Sequence, residues 1–359
     1  MRATSRLMTA GALALVTAAS AAGCGGNSAK GGVAGSTPQA RFQNAMTALG
    51  HGSALTMTFK IDVTAAQAAA IDQATGSKSS PTTDQLISTA SLTVSEKLTN
   101  GKSLDAQPVD ASALQVDVAI NVGGGPVVEI RYLGGTLYAR LGTTEIAQIA
   151  GPKGAQTLSG LSAQIPPTLT WAHAALQGQW VSITLAQIKS LEAQLPGAKA
   201  TPNAAQQQSF LAGLRAILAR DVTVADSGTA SDGSDHLVLS GNVRTLATDL
   251  EAAIGSLVPS ASSALSKANP QRLPDKVLNI DAYVSNGIVS KMVFNAAQTL
   301  SATDQAKLHG QGIPIEVDFS QSAAAVQAPS ATPIDLSQIF SLLGNLGRSS
   351  SSQPSSSSG

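Results

Sequence analysis

The chain has one cysteine in 359 residues, so no intramolecular disulfide and no cysteine-rich zinc site can be built from it. Charge is sparse as well: 22 Lys+Arg stand against 22 Asp+Glu, 12% of the chain, with a formal net charge of zero. That balance excludes the field of a generic nucleic-acid binder and that of an acidic tail protein. Aromatic residues make up only 3%, and the 43% hydrophobic content is mostly Ala, Val, Leu and Ile. Motifs for chemistry are missing too. None of His51, His173, His236 and His309 lies at metal-binding spacing from another, and there is no His-Glu-x-x-His. There is no Gly-x-Ser-x-Gly elbow, no Ser-x-x-Lys, no P-loop and no Gly-x-Gly-x-x-Gly. The expectation is a protein that is not an enzyme and takes no cofactor and no metal.

What is present begins with an address. Arg2 and Arg6 precede an Ala/Leu-rich run from Leu7 to Ala22, then Ala21-Ala22-Gly23 leads into Cys24. This order of charge, apolar run and small residues reads as a signal peptide over 1–23, too short and too interrupted for a membrane span. The lone cysteine stands where a lipid-attachment residue would stand, so Cys24 is expected to carry the acyl anchor. Cleavage would remove two arginines and no acid, leaving a net charge of −2. With no basic stripe for anionic headgroups, acyl chains would have to hold the protein on the membrane. Residues 24–37 are Gly/Ser/Ala-rich and read as a lipidated flexible tether. The Ser-rich stretch 346–359 reads as a disordered tail.

Between these lies a patterned body, 38–345, read as a single domain. Phe42, Met46 and Leu49 fall on one side of a short helix. Leu55, Met57, Phe59 and Ile61 alternate with polar residues, as expected of a strand with one buried face. Leu92, Val94 and Leu98 share a face, as do Leu114, Val116, Val118 and Ile120. Val128, Ile130 and Tyr132 form another set, followed by Leu137, Ala139 and Leu141. Gly123-Gly124-Gly125 and Gly134-Gly135 mark hairpin turns. Helical patterns dominate an insertion at about 143–220, with one short strand at Gln179–Ile183. Strands return at 222–239 and again around Asn286-Gly287, a favoured type I′ pair, and end at Ile313–Phe319. Ser231–Asp235 lacks the ligand spacing of a calcium loop and reads as a solvated turn. His173 reads as a helix-surface or partly buried residue. Glu129 and Arg131, on the strand face opposite Val128 and Ile130, read as a solvated ion pair or plain exposed charges. The fold class expected is α+β: a mainly antiparallel sheet with one apolar face, covered by helices for which the helical middle is the natural source.

Several phrases occur in the order of a known family. Gly-Gly-Thr-Leu-Tyr-Ala-Arg-Leu (134–141), Gly-Gln-Trp-Val-Ser-Ile (178–183) and Leu-Ser-Gly-Asn-Val (239–243) come first. Ala-Tyr-Val-Ser-Asn-Gly-Ile-Val-Ser-Lys-Met (282–292) and Ile-Glu-Val-Asp-Phe-Ser with a later Ala-Pro (315–320, 328–329) follow. With the Ala-Gly-Cys stretch, which resembles a lipobox apart from Ala21 where Leu is commonest, they resemble the actinobacterial LppX/LprG/LprA/LprF lipoproteins, whose fold is related to the LolA-type carriers. The chain departs from that pattern by extra sequence near 64–88 and across 143–220. The resemblance implies a curved, half-barrel antiparallel sheet with helices covering its concave face, and an apolar cavity for the acyl chains of a lipid or lipoglycan. Leu55, Met57, Phe59, Val116, Val118, Ile120, Ile280, Met292 and Phe294 are the cavity-lining candidates. The expected function is binding and carriage or presentation of a lipid at the extracytoplasmic face of the cell membrane. The alternative is an envelope interaction or sensing lipoprotein with a filled core. No nucleic-acid partner is expected, and no residue names a transporter partner.

Overall fold

The computed structural model describes residues 37–75, 84, 86, 88–105, 112–194, 212–213, 216–257, 271 and 273–338. Cys24, the rest of the tether up to residue 36 and the Ser-rich tail lie outside them, while Thr37, expected in the tether, caps the first helix. The architecture is α+β, built on one open sheet of twelve strands. Helix α1 (Pro38–Gly50) precedes β1 (Ala54–Ile61), and α2 (Ala65–Thr75) precedes a meander of β2 (Ser91–Leu98), β3 (Leu114–Val122), β4 (Gly125–Leu133) and β5 (Thr136–Leu141). Then come α3 (Thr143–Gln164), α4 (Thr170–Leu176), β6 (Trp180–Thr184) and α5 (Leu185–Gln194). A second run follows: β7 (Val222–Thr229), β8 (Asp235–Asn242), α6 (Val243–Leu257), β9 (Val277–Ser285) and β10 (Ile288–Asn295). A 3-10 turn, α7 (Ala302–Lys307), β11 (Pro314–Ser320) and β12 (Ala331–Pro333) close the series.

The spatial order is β12-β6-β5-β4-β3-β2-β1-β11-β10-β9-β8-β7. Every neighbouring pair is antiparallel except β12 and β6, which run parallel. The two meanders are joined where β1 pairs with β2 on one side and β11 on the other, Met57 facing both Val94 and Phe319. The short turns follow from their residues. Asn286 and Gly287 both have positive φ (53° and 77°), as do Gly134 and Gly135 (56° and 78°), the mirror-image turn that matches strand twist.

Because side chains alternate across a strand, the registers carry one apolar face through the whole sheet. One row runs Leu141, Val128, Ile120, Leu92, Phe59, Val317, Met292, Ala282 and Leu237. Over β1 and β8–β11 this face forms most of the core, with Val222 and Val224 of β7 partly buried at its edge. Leu55, Met57, Phe59, Val94, Leu237, Leu239, Ala282, Val289, Met292, Val317 and Phe319 form the core cluster with Ala45 and Leu49 of α1. Phe42 and Met46 complete the helix's apolar stripe at i, i+3, i+4 and i+7 spacing.

Helix α1 is held at both ends. Thr37 caps it, its hydroxyl accepting from the Ala40 amide at 3.2 Å, and Pro38 sits in the first turn, where a missing amide costs nothing. Arg41 reaches Asp226 and Asp235 at the far sheet edge. At its C-terminus the Gln321 amide donates to the carbonyl of Ala48.

One expectation needs correction. The helix that enters the described core is N-terminal α1, whereas the middle helices α3, α4 and α5 pack near β4, β5, β6 and β12 at the other end of the sheet. The reason is proximity in the chain: each follows or precedes one of those edge strands directly. Within 143–220 the described residues are mainly helical with β6 among them, and the stripe members Leu195, Phe210, Leu211 and Leu214 lie outside the described residues. The three-residue strand β12 has no counterpart in the alternation pattern.

Leu237 is fully buried in mid-cluster. Leu237→Ala is expected to lower stability by about 2–5 kcal/mol. Chemical denaturation checks this, and an unchanged midpoint would mean that the cluster is not packed as described.

Candidate functional site

The candidate site is the same apolar face, followed away from α1. Six of the nine candidates belong to or pack on the core cluster: Leu55, Met57, Phe59 and Met292 are buried in it, and Val118 and Ile280 lie against it. Phe294 is half-buried beside Ile280 and Ile315. Val116, Val118 and Ile120 lie on β3 and continue the face towards Val128, Ile130 and Tyr132 on β4. There the burial fails. Ile120 keeps 42% and Ile130 36% of their surface exposed, although their neighbours in the sheet are apolar. The structure therefore splits the candidates: most are packed against other side chains, and the β3 group borders an open apolar area.

On that face stands one side chain of another kind. Glu96 occupies the period-2 position between buried Val94 and Leu98, and its cross-strand neighbours are Leu55 and Val116. Among the described residues it has no hydrogen-bond donor and no cation beside it. Burial alone pushes its carboxyl above the ordinary glutamate range. The face carries two further carboxylates, Asp226 and Asp235 at its far end, and both are paired with Arg41. Motif searching does not reveal Glu96, yet the signal was there: the alternation that groups Leu92, Val94 and Leu98 includes position 96.

The opposite face is charged and covered. Glu129 is only 7% exposed, which corrects the expectation of a solvated pair or exposed charges. Its carboxylate accepts from Arg131 at 2.5 Å and from Arg140, its cross-strand partner, at 2.6 Å. Both guanidiniums also lie over the Trp180 ring, 4.8 Å and 5.2 Å from its centre. Asp117 faces Arg131 at 3.6 Å. Burial pushes the Asp117 carboxyl up, Arg131 pulls it down, and the negative Glu129 adds to the rise. The cover is the chain's own C-terminal segment, which crosses this face after β11. The Thr56 hydroxyl donates to the Ser322 carbonyl at 2.6 Å, the Val326 amide donates to Gln115, and Arg131 donates to the Gln327 carbonyl. The segment then forms β12 beside β6. The cluster is a structural clamp: its acids are matched by arginines.

Two depressions open elsewhere to solvent. One of about 680 Å3 lies along α3 by Thr143, Ala147 and Gly151. The other, about 380 Å3, is bordered by Thr170, His173, Gln177 and Thr332. None of the nine candidates lines either. His173 is partly buried on α4. In the β7–β8 turn, Asp232 accepts from the amide and hydroxyl of Ser234, and Ser234 itself is buried. Among the described residues no group of three or more His, Cys, Asp or Glu is placed to hold a metal.

No family model and no curated protein matches the chain.

The state of Glu96 makes stability depend on pH. Its folded-state value lies above its unfolded one, so the folded form favours the protonated carboxyl. The fold is weakened as pH rises from the ordinary glutamate range through the shifted value. Glu96→Gln is therefore expected to raise the melting temperature at about pH 7.5 and to leave it nearly unchanged at about pH 3. An equal effect at both would show that Glu96 is not held in an apolar setting.

Proposed function

We propose that the chain is a membrane-anchored extracytoplasmic lipoprotein that binds the acyl chains of a lipid or lipoglycan and carries or presents it at the cell envelope. The observation that carries this reading is the open end of the apolar face: Ile120 and Ile130 stand exposed on a sheet whose other half holds the core cluster. Exposed aliphatic surface next to a continuous apolar row is suited to hydrocarbon. Each methylene buried there contributes about 0.8 kcal/mol, so acyl chains need few polar contacts to be held. The order of the strand phrases and the position of Cys24 after an apolar leader support the same reading. On this proposal the sheet curves into a half-barrel, helices shield its concave face, and Cys24 carries the anchor. The protein acts by binding and performs no covalent chemistry.

A second reading, an envelope interaction or sensing lipoprotein with a filled core, is favoured by the solid packing beneath α1. Photo-cross-linking separates the two. The full chain in detergent is exposed to a diazirine-bearing C16 acyl probe, and the labelled peptides are identified by mass spectrometry. Labelling is expected to concentrate on the β3–β4 peptides, and Ile120→Asp is expected to reduce it about tenfold, since a charge in a hydrocarbon site is strongly opposed. Uniform labelling, unchanged by the substitution, favours the filled-core module.

A further inference from the structure

We propose that Glu96 is the polar anchor of this face and selects an acylated ligand whose hydrogen-bonding group is uncharged, a hydroxyl or an amide, over one with an anionic head. The inference rests on the lipid-binding reading and deepens it by naming the ligand's chemistry. Three observations carry it. Glu96 lies on the apolar row between Leu55 and Val116, one strand from Val118 and Ile120, where the face begins to open. Among the described residues it is the one carboxyl on that face without an ion pair, since Asp226 and Asp235 both pair with Arg41. By register, the strand cations Lys60, Lys97, Arg131, Arg140 and Lys291 all stand on the opposite face.

The chemistry follows from these positions. A carboxyl set among aliphatic side chains loses solvation without a partner, and a ligand group that hydrogen-bonds it recovers that loss. A hydroxyl or amide can donate to the carboxylate, or accept from the acid form. A phosphate or carboxylate head brings a second negative charge to a stretch of the face where, among the described residues, no strand cation stands and Arg41 is already engaged by Asp226 and Asp235. The other polar group on the same row is Tyr132, two strands away across Val116, which adds no positive charge. Acyl chains running towards Ile120 and Ile130 would place the polar neck of the ligand beside Glu96.

The test compares two diazirine-bearing probes of equal chain length, hexadecanol and hexadecanoic acid, on the full chain in detergent at mildly alkaline pH, where the acid is ionised. Labelling of the β3–β4 peptides is read by mass spectrometry, and the fold of each variant is checked by circular dichroism. The native chain is expected to prefer the alcohol by about tenfold. Glu96→Leu, which removes both charge and hydrogen bond, is expected to abolish the preference. Glu96→Gln is expected to keep alcohol labelling within about twofold while labelling by the acid rises. Equal labelling by both probes in the native chain, or a preference that survives Glu96→Leu, overturns the inference and leaves the lipid-binding reading standing. Failure of both probes to label the β3–β4 peptides overturns both readings.

Discussion

The pairing of β1 with both β2 and β11 is the constraint on which the rest depends. Two antiparallel meanders, one from each half of the chain, meet on this strand, and its registers with Val94 and Phe319 set the faces of everything on either side. Since side chains alternate strictly, a slip of one residue here would turn the apolar set of one meander away from that of the other. The pairing also joins segments more than two hundred residues apart, a costly closure that the shared core on either side of Met57 and Phe59 must offset.

Given that shared face, the two halves differ in what lies on it. Helix α1 fills the β7–β11 side with Phe42, Ala45, Met46 and Leu49, and Arg41 pairs with both acids at its edge. On the β2–β5 side the apolar row goes on, but Ile120 and Ile130 retain solvent contact and Glu96 has no ion pair among the described residues. On the back of this half the charges are clamped instead: Glu129 between two arginines, these against Trp180, and the C-terminal segment laid across. On the proposed function, hydrocarbon would lie against this open apolar front, with the covered, charge-clamped back behind it.

Much of the sheet was legible because period-2 alternation and paired glycines are local signals. β1, β3 and the Asn286-Gly287 hairpin stand where their patterns place them. What sequence could not show was what lies against each face. Glu129 and Arg131 look like exposed strand charges until the C-terminal segment, nearly two hundred residues later, is laid over them. Likewise α1 and the middle helices have similar apolar stripes, and only the strand order decides which one reaches the core. Three-residue β12 carries no periodicity to find. Glu96 is the instructive case: its place on the apolar side is written in the alternation of Leu92, Val94 and Leu98, but its lack of a partner emerges only once the sheet is assembled.

The account stands on the claim that the front of β2–β5 receives hydrocarbon. An experimental structure of the full chain purified with the lipids of its own membrane tests this most directly. The expected result is continuous density for acyl chain along Val118, Ile120 and Ile130, ending in a polar group beside Glu96. Protein side chains packed over those residues, with no lipid between, would contradict it.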